Sequence, residues 1–174
     1  MKSLDPTGLK RLHREWRRQT TGRLALVLDG VQSPFNVGAI VRTAAAYRVD
    51  HVWLTGATAP IENSGVRKTA LGTDRYLTIT SCEKAVDAIE LAHTEGFHVI
   101  GIELADGATA LHELKAGDAV CLVVGNEDHG VSSAALQACD DVAFLPQLGK
   151  VGSLNVATAT SIALYEVRRQ EWSS

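Results

Sequence analysis

The segment at residues 125–130 combines the backbone freedom and the charge that a small-molecule site needs. An apolar run ends there in the sequence Gly-Asn-Glu-Asp-His-Gly. The two glycines permit a positive φ and a close approach of the backbone to a ligand. The acidic side chains would repel a phosphate group, since like charges disfavour each other at short range. The segment therefore predicts a site that reads its ligand through main-chain groups and favours a positively charged centre.

A second segment places a polar amide ahead of a helical pattern. Asn36 stands where a helix N-cap belongs, because its side-chain oxygen can accept a hydrogen bond from an unpaired backbone N–H. Arg42 follows six residues later, on a neighbouring part of the same helix surface. Taken without other information, the pair is typical of a capped helix with a surface arginine.

A third segment, residues 145–157, joins an apolar run to an alanine-rich helix through a loop with spaced glycines. The run ends at Pro146, and the simplest role for Ser153 is to cap the helix that follows. Asn155 in the first helical turn is less easily explained in this way. Asparagine is a poor helix former that usually has a side-chain role.

Several other kinds of site are excluded because their motifs are missing. The glycine turn lacks the spacing of a dinucleotide-binding fingerprint, and no Gly-Lys-Ser/Thr sequence is present to form a phosphate-binding loop. A serine hydrolase built on Ser153, His129 and Asp128 would lack the nucleophile elbow, and adjacent Asp and His residues cannot easily form a triad. The six histidines show no metal-ligand spacing, so no metal site is expected.

The elements that must position these residues alternate between apolar runs and helical patterns. Runs without polar alternation are typical of strands buried on both faces, and their alternation with helices predicts an α/β fold with a mostly parallel sheet. Six strands are predicted, at residues 24–31, 51–56, 76–80, 98–104, 120–125 and 142–145. Helices are predicted at residues 36–47, 83–94 and 154–169. In such a sheet a ligand binds at the carboxyl ends of the strands, where all three segments are expected to lie.

Length and composition fit one compact domain with an aliphatic core. The chain has 174 residues, of which 45% are hydrophobic and only 5% aromatic, so aliphatic side chains and alanine must fill the core. Three cysteines without a CxxC pair indicate a reducing compartment rather than a disulfide framework. The charged N-terminus lacks a signal peptide, and no apolar run approaches the roughly 20 residues that span a bilayer. We therefore expect a cytoplasmic protein without a membrane segment.

Charge is distributed unevenly along the chain. The net charge is -3, but residues 1–23 contain seven Lys or Arg and two Asp or Glu side chains, which gives a local balance of +5. A basic arm on an acidic body suggests a polyanionic partner, although a solvated helix face would have the same composition. The first 20 residues are predicted to form an appended helix with Leu9, Leu12 and Trp16 on one side, and we expect Trp16 to pack against the body.

Taken together, the three segments resemble the motifs of the SpoU-type methyltransferases in the SPOUT superfamily. The first motif of that family is Asn-x-Gly-x-x-x-Arg-Thr-Ala, the second ends a strand in Gly-Asn-Glu-x-x-Gly, and the third contains Pro followed by Ser-Leu-Asn-Val. The matching residues are Asn36, Gly38, Arg42, Thr43 and Ala44; Gly125, Asn126, Glu127 and Gly130; and Pro146, Ser153, Leu154, Asn155 and Val156. The order and the separation of the motifs match as well, and the resemblance covers residues 24–170.

The resemblance implies an RNA 2'-O-ribose methyltransferase that uses S-adenosylmethionine as its cofactor. It also implies helices flanking the parallel sheet and a deep trefoil knot at the C-terminal end, with the cofactor held in the knot largely by main-chain groups. The positive sulfonium of this cofactor suits the acidic segment 125–130. Carried over to this chain, the cofactor site would consist of Glu103, Leu104, Gly125, Asn126, Gly130, Leu145, Ser153 and Leu154.

The resemblance assigns the reaction itself to Arg42, Asn36, Glu127, Ser153 and Asn155. Because an arginine is almost always protonated, we expect Arg42 to bind an RNA phosphate and to stabilise developing alkoxide charge, with a role as base as the alternative. Asn36 would orient Arg42 or the ribose, and Glu127 would hold its loop by accepting hydrogen bonds. Ser153 and Asn155 would shape the third segment and contact the cofactor or the RNA.

The resemblance also implies a homodimer with RNA as its other partner. Family members that act on 23S rRNA often carry a large N-terminal RNA-binding domain, whereas residues 1–20 here are only a short basic extension before a methyltransferase domain at residues 21–174. We therefore expect tRNA rather than rRNA as substrate, with rRNA, or a non-catalytic RNA-binding module of this fold, as the alternatives. Further candidate phosphate contacts are Arg67, Lys68, Arg75 and Lys150. The last helix offers small side chains for either a dimer interface or the core, namely Ala157, Ala159 and Ala163.

Overall fold

The structure, a computed structural model, describes residues 2–173. The strands in this range are β1 (Arg23–Asp29), β2 (His51–Thr55), β3 (Thr78–Cys82), β4 (His98–Ile102), β5 (Thr109–Ala110), β6 (Ala119–Gly125) and β7 (Asp141–Phe144). The α-helices are α1 (Pro6–Gln19), α2 (Pro34–Ala46), α3 (Ser64–Ala70), α4 (Ala85–Thr94), α5 (Ser133–Ala138) and α6 (Val156–Trp172). Two short 3-10 turns lie at Thr73–Tyr76 and Leu111–Glu113.

The strands form one sheet in the order β3-β2-β1-β6-β4-β7-β5. Every neighbouring pair among them runs parallel. Parallel strands need crossover connections, and the intervening helices provide them on both faces of the sheet. The predicted α/β class with a parallel sheet is confirmed, whereas the trefoil knot implied by the resemblance stays a prediction.

Alternate side chains of the central strand β1 supply the two halves of the core. Leu24, Leu26 and Leu28 are fully buried on the face covered by α2, α3 and α6. Ala25 and Val27 are fully buried on the opposite face, against α4 and α5. Burial on both faces explains why this strand has a continuous apolar sequence. Each large aliphatic side chain buried in this way stabilises the fold by about 1.5–3 kcal/mol before the entropy cost.

The N-cap residues of two helices differ from those predicted. Ser33, not Asn36, is the N-cap of α2, and its side chain accepts a hydrogen bond from the backbone N–H of Asn36. The reason is Pro34, because the fixed φ of proline favours the first helical position. Likewise Asn155, not Ser153, caps α6 and accepts from two backbone N–H groups there.

The strands expected to reach residues 31 and 104 end at Asp29 and Ile102, and the helix expected from residue 83 begins at Ala85. The remaining differences from the sequence prediction concern short elements. The strand expected at residues 76–80 begins at Thr78, because Thr73–Tyr76 forms a 3-10 turn. The two-residue strand β5 was not predicted, since so short a run carries no recognisable pattern. The short helices α3 and α5 were missed for the same reason.

The N-terminal helix α1 docks through a pair of tryptophans. The ring centroids of Trp16 and Trp172 lie 4.9 Å apart, and the indole N–H of Trp172 donates a hydrogen bond to the Thr20 hydroxyl at 2.9 Å. The expected packing of Trp16 against the body is confirmed. No residue of α1 is fully buried, so this helix is held by few contacts and leaves its basic side chains in solvent.

A buried arginine secures the end of α6 against the rest of the domain. Arg168 is 2% exposed and donates hydrogen bonds to the carbonyl oxygens of Gly22, Tyr47 and Arg48. It also forms an ion pair with Glu171 at 3.0 Å. No sequence pattern identifies this residue, because its partners are carbonyl groups from distant segments.

The alanines of α6 face mainly inward. Ala157 and Ala163 belong to the core, whereas the exposed side of the helix carries Ile162 and Tyr165. The structure therefore supports core packing for Ala157 and Ala163, whereas Ala159 is half-buried and outside the core, and the dimer interface stays a prediction. Within residues 2–173, no helix is both long enough and apolar enough to cross a lipid bilayer.

Candidate functional site

A cleft of about 470 Å³ opens at the carboxyl ends of the adjacent strands β6, β4 and β7. It lies where a parallel sheet is expected to bind a ligand, and its volume is in the range of small-molecule sites. The segments that follow these three strands, together with the start of α6, form its walls. The cleft thus unites residues that are far apart in the sequence.

Every residue predicted to bind the cofactor lines this cleft. They are Glu103, Leu104, Gly125, Asn126, Gly130, Leu145, Ser153 and Leu154. Other residues that were not predicted to bind the cofactor line the cleft as well, namely Ile102, Val124, His129, Phe144, Gln147, Val156 and Ala159. Most of these residues are next to the predicted ones along the chain, so their place in or beside the three segments could have identified them.

The turn at residues 126–130 is tightly closed. The backbone N–H groups of Asn126 and Gly130 each donate to the other residue's carbonyl oxygen at 2.9 Å. The Asn126 side chain spans the turn, because its oxygen accepts from the N–H groups of Asp128 and His129 while its amide donates to Gly30.

Two glycines make this closure possible. A Cβ at Gly125 would overlap the backbone that follows Gly130, so no other residue fits there without a shift. Gly130 itself has a φ of +68°, a conformation that favours glycine, and a Cβ there would overlap the carboxylate of Glu103. The protein's own packing therefore requires both glycines, and the close approach of a ligand to them stays a prediction.

Glu103 connects the end of β4 to the turn. One carboxylate oxygen accepts from the N–H of Val131 at 2.9 Å, and the other accepts from the N–H of Leu104 at 3.1 Å. Both oxygens are therefore used to fix the walls of the cleft. Glu103 is placed to hold backbone groups in position for a ligand as well as to line the cleft itself.

Glu127 joins the turn to the start of α2. Its carboxylate accepts hydrogen bonds from the N–H groups of Gln32 and Ser33 at 3.1 and 3.0 Å, and from the side-chain amide of Asn36 at 2.9 Å. Partial burial raises the pKa of Glu127, but these hydrogen bonds outweigh burial and hold the pKa below its usual value. Glu127 is therefore ionised at neutral pH and acts as an acceptor.

A directed chain of hydrogen bonds connects all three motif segments. Since the Glu127 carboxylate can only accept, Asn36 must donate to it through its NH2 group. The Asn36 oxygen then accepts from the side-chain amide of Asn155 at 3.0 Å. That leaves the Asn155 oxygen free to cap α6. The amide orientations of both asparagines follow from this chain without ambiguity.

Arg42 and Ser153 do not join this network. Arg42 is exposed on α2 and does not line the cleft, and its side chain has no hydrogen bond or ion pair with the residues that the structure describes. Ser153 lines the cleft, but its hydroxyl likewise has no hydrogen bond within residues 2–173. Both side chains are thus available to a ligand. The further candidates for phosphate contacts, Arg67, Lys68, Arg75 and Lys150, are exposed as well.

The charged side chains that line the cleft are acidic. Glu103, Glu127 and Asp128 are among the lining residues, and no Lys or Arg within residues 2–173 is. This balance disfavours a ligand rich in phosphate and favours one with a positive centre. Ser153, His129 and Asp128 share the cleft, yet in the described part of the chain no hydrogen bond connects their side chains into a triad. Over the same range, no group of three or more His, Cys, Asp or Glu side chains is arranged to hold a metal ion.

Comparison with known proteins places these features in a family. Residues 23–165 match the SpoU rRNA Methylase family. An uncharacterised tRNA/rRNA methyltransferase of Synechocystis is 33% identical over 152 residues, which cover 87% of this chain and 55% of the relative. The chain thus spans about half the length of that curated relative.

Two of the solved structures with a similar fold are those of RNA-modifying proteins. The SpoU methyltransferase AviRb from Streptomyces viridochromogenes, in complex with the cofactor AdoMet, superposes with a TM-score of 0.79 at 26% identity over 88% of this chain and 60% of that one. A structure that concerns the 2-OH methylation of C/U34 on tRNA has a TM-score of 0.79 at 25% identity, covering 88% of this chain and 99% of that one.

Proposed function

The chain belongs to the SpoU rRNA methylase family, and from this premise we propose that it methylates a ribose 2'-hydroxyl of tRNA with S-adenosylmethionine as methyl donor. The observation that carries the proposal is the hydrogen-bond chain from Glu127 through Asn36 to Asn155 at the rim of the cleft. It brings together the three segments whose sequences resemble the family motifs. The chemistry that the cofactor supplies when bound is an activated methyl group on a sulfonium.

The cleft fits that cofactor in size, charge and wall chemistry. Its walls present backbone groups of the turn at residues 126–130 and of the loop before α6, and its acidic lining suits a sulfonium. The residues that would hold the cofactor are those already predicted: Glu103, Leu104, Gly125, Asn126, Gly130, Leu145, Ser153 and Leu154. AviRb, which has this fold, was crystallised with AdoMet, and this supports the assignment.

The hydrogen-bond chain sets the geometry rather than moving a proton. Glu127 uses its carboxylate on Gln32, Ser33 and Asn36, so it is a poor candidate for a base. Asn36 and Asn155 hold the starts of α2 and α6 next to each other. Their proposed role is to fix the substrate ribose beside the cleft, where correct placement of the reacting groups supplies much of the catalysis.

Arg42 is proposed to contact the RNA directly. The side chain is exposed, and its guanidinium has no partner among residues 2–173. The permanently charged guanidinium, with several N–H donors in one plane, can bind a phosphate and stabilise negative charge on the 2'-oxygen as that hydroxyl releases its proton to solvent. In this proposal Arg42 acts as an electrostatic group, not as a base.

The choice of tRNA and of the ribose rests on one structural neighbour. The structure concerned with 2-OH methylation on tRNA is covered over 99% of its chain by this one, so the similarity includes all of the part that acts there. The basic face of α1 would add phosphate contacts. Ribosomal RNA is the alternative substrate, because the Synechocystis relative is named for both kinds of RNA.

A homodimer and a cytoplasmic location complete the proposal. The exposed side of α6 carries Ile162 and Tyr165, which are 43% and 48% exposed. A second copy packed on this side would bury them. A cytoplasmic location agrees with three free cysteines, since thiols persist under reducing conditions.

Transfer of a labelled methyl group to purified RNA tests the proposal. We expect label in tRNA and little in ribosomal RNA. Alkaline hydrolysis should then release the label in a resistant dinucleotide, because a methylated 2'-oxygen cannot attack the adjacent phosphate. Label released as a mononucleotide would mean that a base is methylated. Label confined to ribosomal RNA would mean that ribosomal RNA, and not tRNA, is the substrate.

A further inference from the structure

A large aromatic ring is exposed at the start of α2. Phe35 is 62% exposed, although it lies between Pro34 and Asn36 in a segment that is otherwise well packed. The next helical residues, Val37 and Gly38, are fully buried. Phe35 therefore points away from the core while its neighbours hold the helix against it.

The backbone that carries this ring is fixed on both sides. Ser33 donates its N–H to Glu127 at 3.0 Å, and Asn36 donates its side-chain amide to the same carboxylate oxygen at 2.9 Å. Only the two side-chain torsions of Phe35 remain free. A ring held in this way binds a flat partner at a low entropy cost.

Helix geometry puts Phe35 in line with Arg42. Seven residues correspond to nearly two turns, so the two side chains share one face and are about 10 Å apart along the helix axis. Ala39 lies between them along the helix, but it is half-buried and packs against the core. The helix α2 thus offers an exposed aromatic ring and an exposed guanidinium about two turns apart.

The start of α2, which carries Phe35, adjoins the rim of the cleft. Asn36, the residue after Phe35, is hydrogen bonded to Glu127 and Asn155, and both of these residues line the cleft. A nucleotide that places its ribose at this rim would have its base and its phosphate to either side. The ring and the guanidinium are chemically suited to those two groups.

We infer that Phe35 stacks on a base of the RNA substrate, next to the ribose that is methylated, while Arg42 holds a phosphate of the same strand. The inference rests on the proposed function, since it needs RNA at this rim. Stacking is tolerant of sequence because every base has a flat face. Phe35 is therefore a positioning residue that brings the ribose to the cleft, and it does not select one base.

Three substitutions separate stacking from simple packing. Phe35→Trp keeps a flat ring, Phe35→Leu keeps apolar bulk without one, and Phe35→Ala removes both. For each variant we measure the kinetics of methyl transfer to unfractionated tRNA, the affinity for S-adenosylmethionine and the oligomeric state. Leu91→Ala serves as a control, because Leu91 is an exposed apolar residue on α4, on the other face of the sheet.

We expect Phe35→Leu and Phe35→Ala to raise the KM for tRNA by about 10- to 100-fold, as alanine substitution of stacking residues does elsewhere. Phe35→Trp and Leu91→Ala should retain the wild-type KM, and cofactor affinity should be unchanged in all four. If the wild type is active and Phe35→Leu is fully active as well, the stacking role is wrong and the proposed function still stands. Loss of cofactor binding or of the oligomer in Phe35→Leu would also overturn it, in favour of packing. A wild type that methylates no RNA would overturn the proposed function, and this inference with it.

Discussion

The side-chain amide of Asn155 donates a hydrogen bond to the side-chain oxygen of Asn36 at 3.0 Å. The two residues are 119 positions apart, and each stands at the start of a helix that borders the cleft. Because Asn36 also donates to Glu127, this one contact completes the connection between the three motif segments. The geometry of the proposed site depends on that connection.

The first prediction separates the two roles of Asn155. Asn155→Asp keeps an oxygen that caps α6 but replaces the donor with a second acceptor facing Asn36. We expect methyl transfer to fall by about fivefold or more, corresponding to about 1 kcal/mol of weakened positioning. Thermal stability should stay higher than in Asn155→Ala, which also loses the cap. A fully active Asn155→Asp enzyme would show that the contact with Asn36 has no role in positioning.

The second prediction concerns pH. Partial burial raises the pKa of Glu127, but hydrogen bonds from the Asn36 side chain and from three backbone N–H groups, those of Gln32, Ser33 and Glu127 itself, lower it further. A lowered pKa in the folded state adds stability that is fully present above the ordinary pKa of glutamate, and that is lost as pH falls through the lowered value, from about pH 4 downward.

Thermal unfolding of the wild type and of Glu127→Gln between pH 7 and pH 3 tests this contribution. The variant has no charge to lose at this position, so the stability difference between the two proteins should shrink as the pH falls. Parallel curves over the whole range would refute the contribution of the Glu127 carboxylate.

The third prediction tests the closed turn. An alanine Cβ at Gly125 would overlap the backbone that follows Gly130, so the turn must open to accept it. We expect Gly125→Ala to weaken S-adenosylmethionine binding at least tenfold and to cost about 1–3 kcal/mol of stability, measured by calorimetric titration and thermal unfolding. Gly149→Ala is the matched control, since a Cβ there meets only ordinary contacts at 3.9 Å or more. Unchanged cofactor affinity in Gly125→Ala would contradict the role of the turn.

The sequence predicted the sheet and the cleft better than the contacts within it. Continuous aliphatic runs such as residues 24–28 identify buried parallel strands, and the glycines of residues 125–130 identify a close backbone turn. Helix starts were predicted less well, because Ser33, Asn36, Ser153 and Asn155 are all good caps and only the packed chain decides among them. The bonds that Asn36 makes to Glu127 and Asn155 depend on how distant segments meet, and no local pattern encodes that.

The fourth prediction concerns the basic face of α1. Arg11, Arg14 and Arg18 recur at helical spacing on the side opposite Leu9, Leu12 and Trp16, and all three arginines are exposed. Replacing the three with alanine should lower tRNA affinity. The slope of the logarithm of the binding constant against the logarithm of the salt concentration should also become less steep, by about 0.7–0.9 for each RNA phosphate that is no longer neutralised.

Binding isotherms at several salt concentrations measure this slope. The matching triple lysine variant keeps the charge and should keep most of the slope. If the alanine variant binds tRNA with an unchanged slope, α1 is a solvated surface helix and does not bind the RNA.

Arg42 offers the most direct test of the proposed function. The measurement is the transfer of labelled methyl groups from S-adenosylmethionine to tRNA by the wild type, Arg42→Ala and Arg42→Lys, with cofactor affinity determined for each protein. We predict label at ribose 2'-oxygens with the wild type, a loss of about 100-fold or more with Arg42→Ala, a substantial loss with Arg42→Lys, and equal cofactor affinity in all three. Full activity of Arg42→Lys would contradict the bidentate role of the guanidinium, and a wild type that binds the cofactor but labels no RNA would contradict the proposed function.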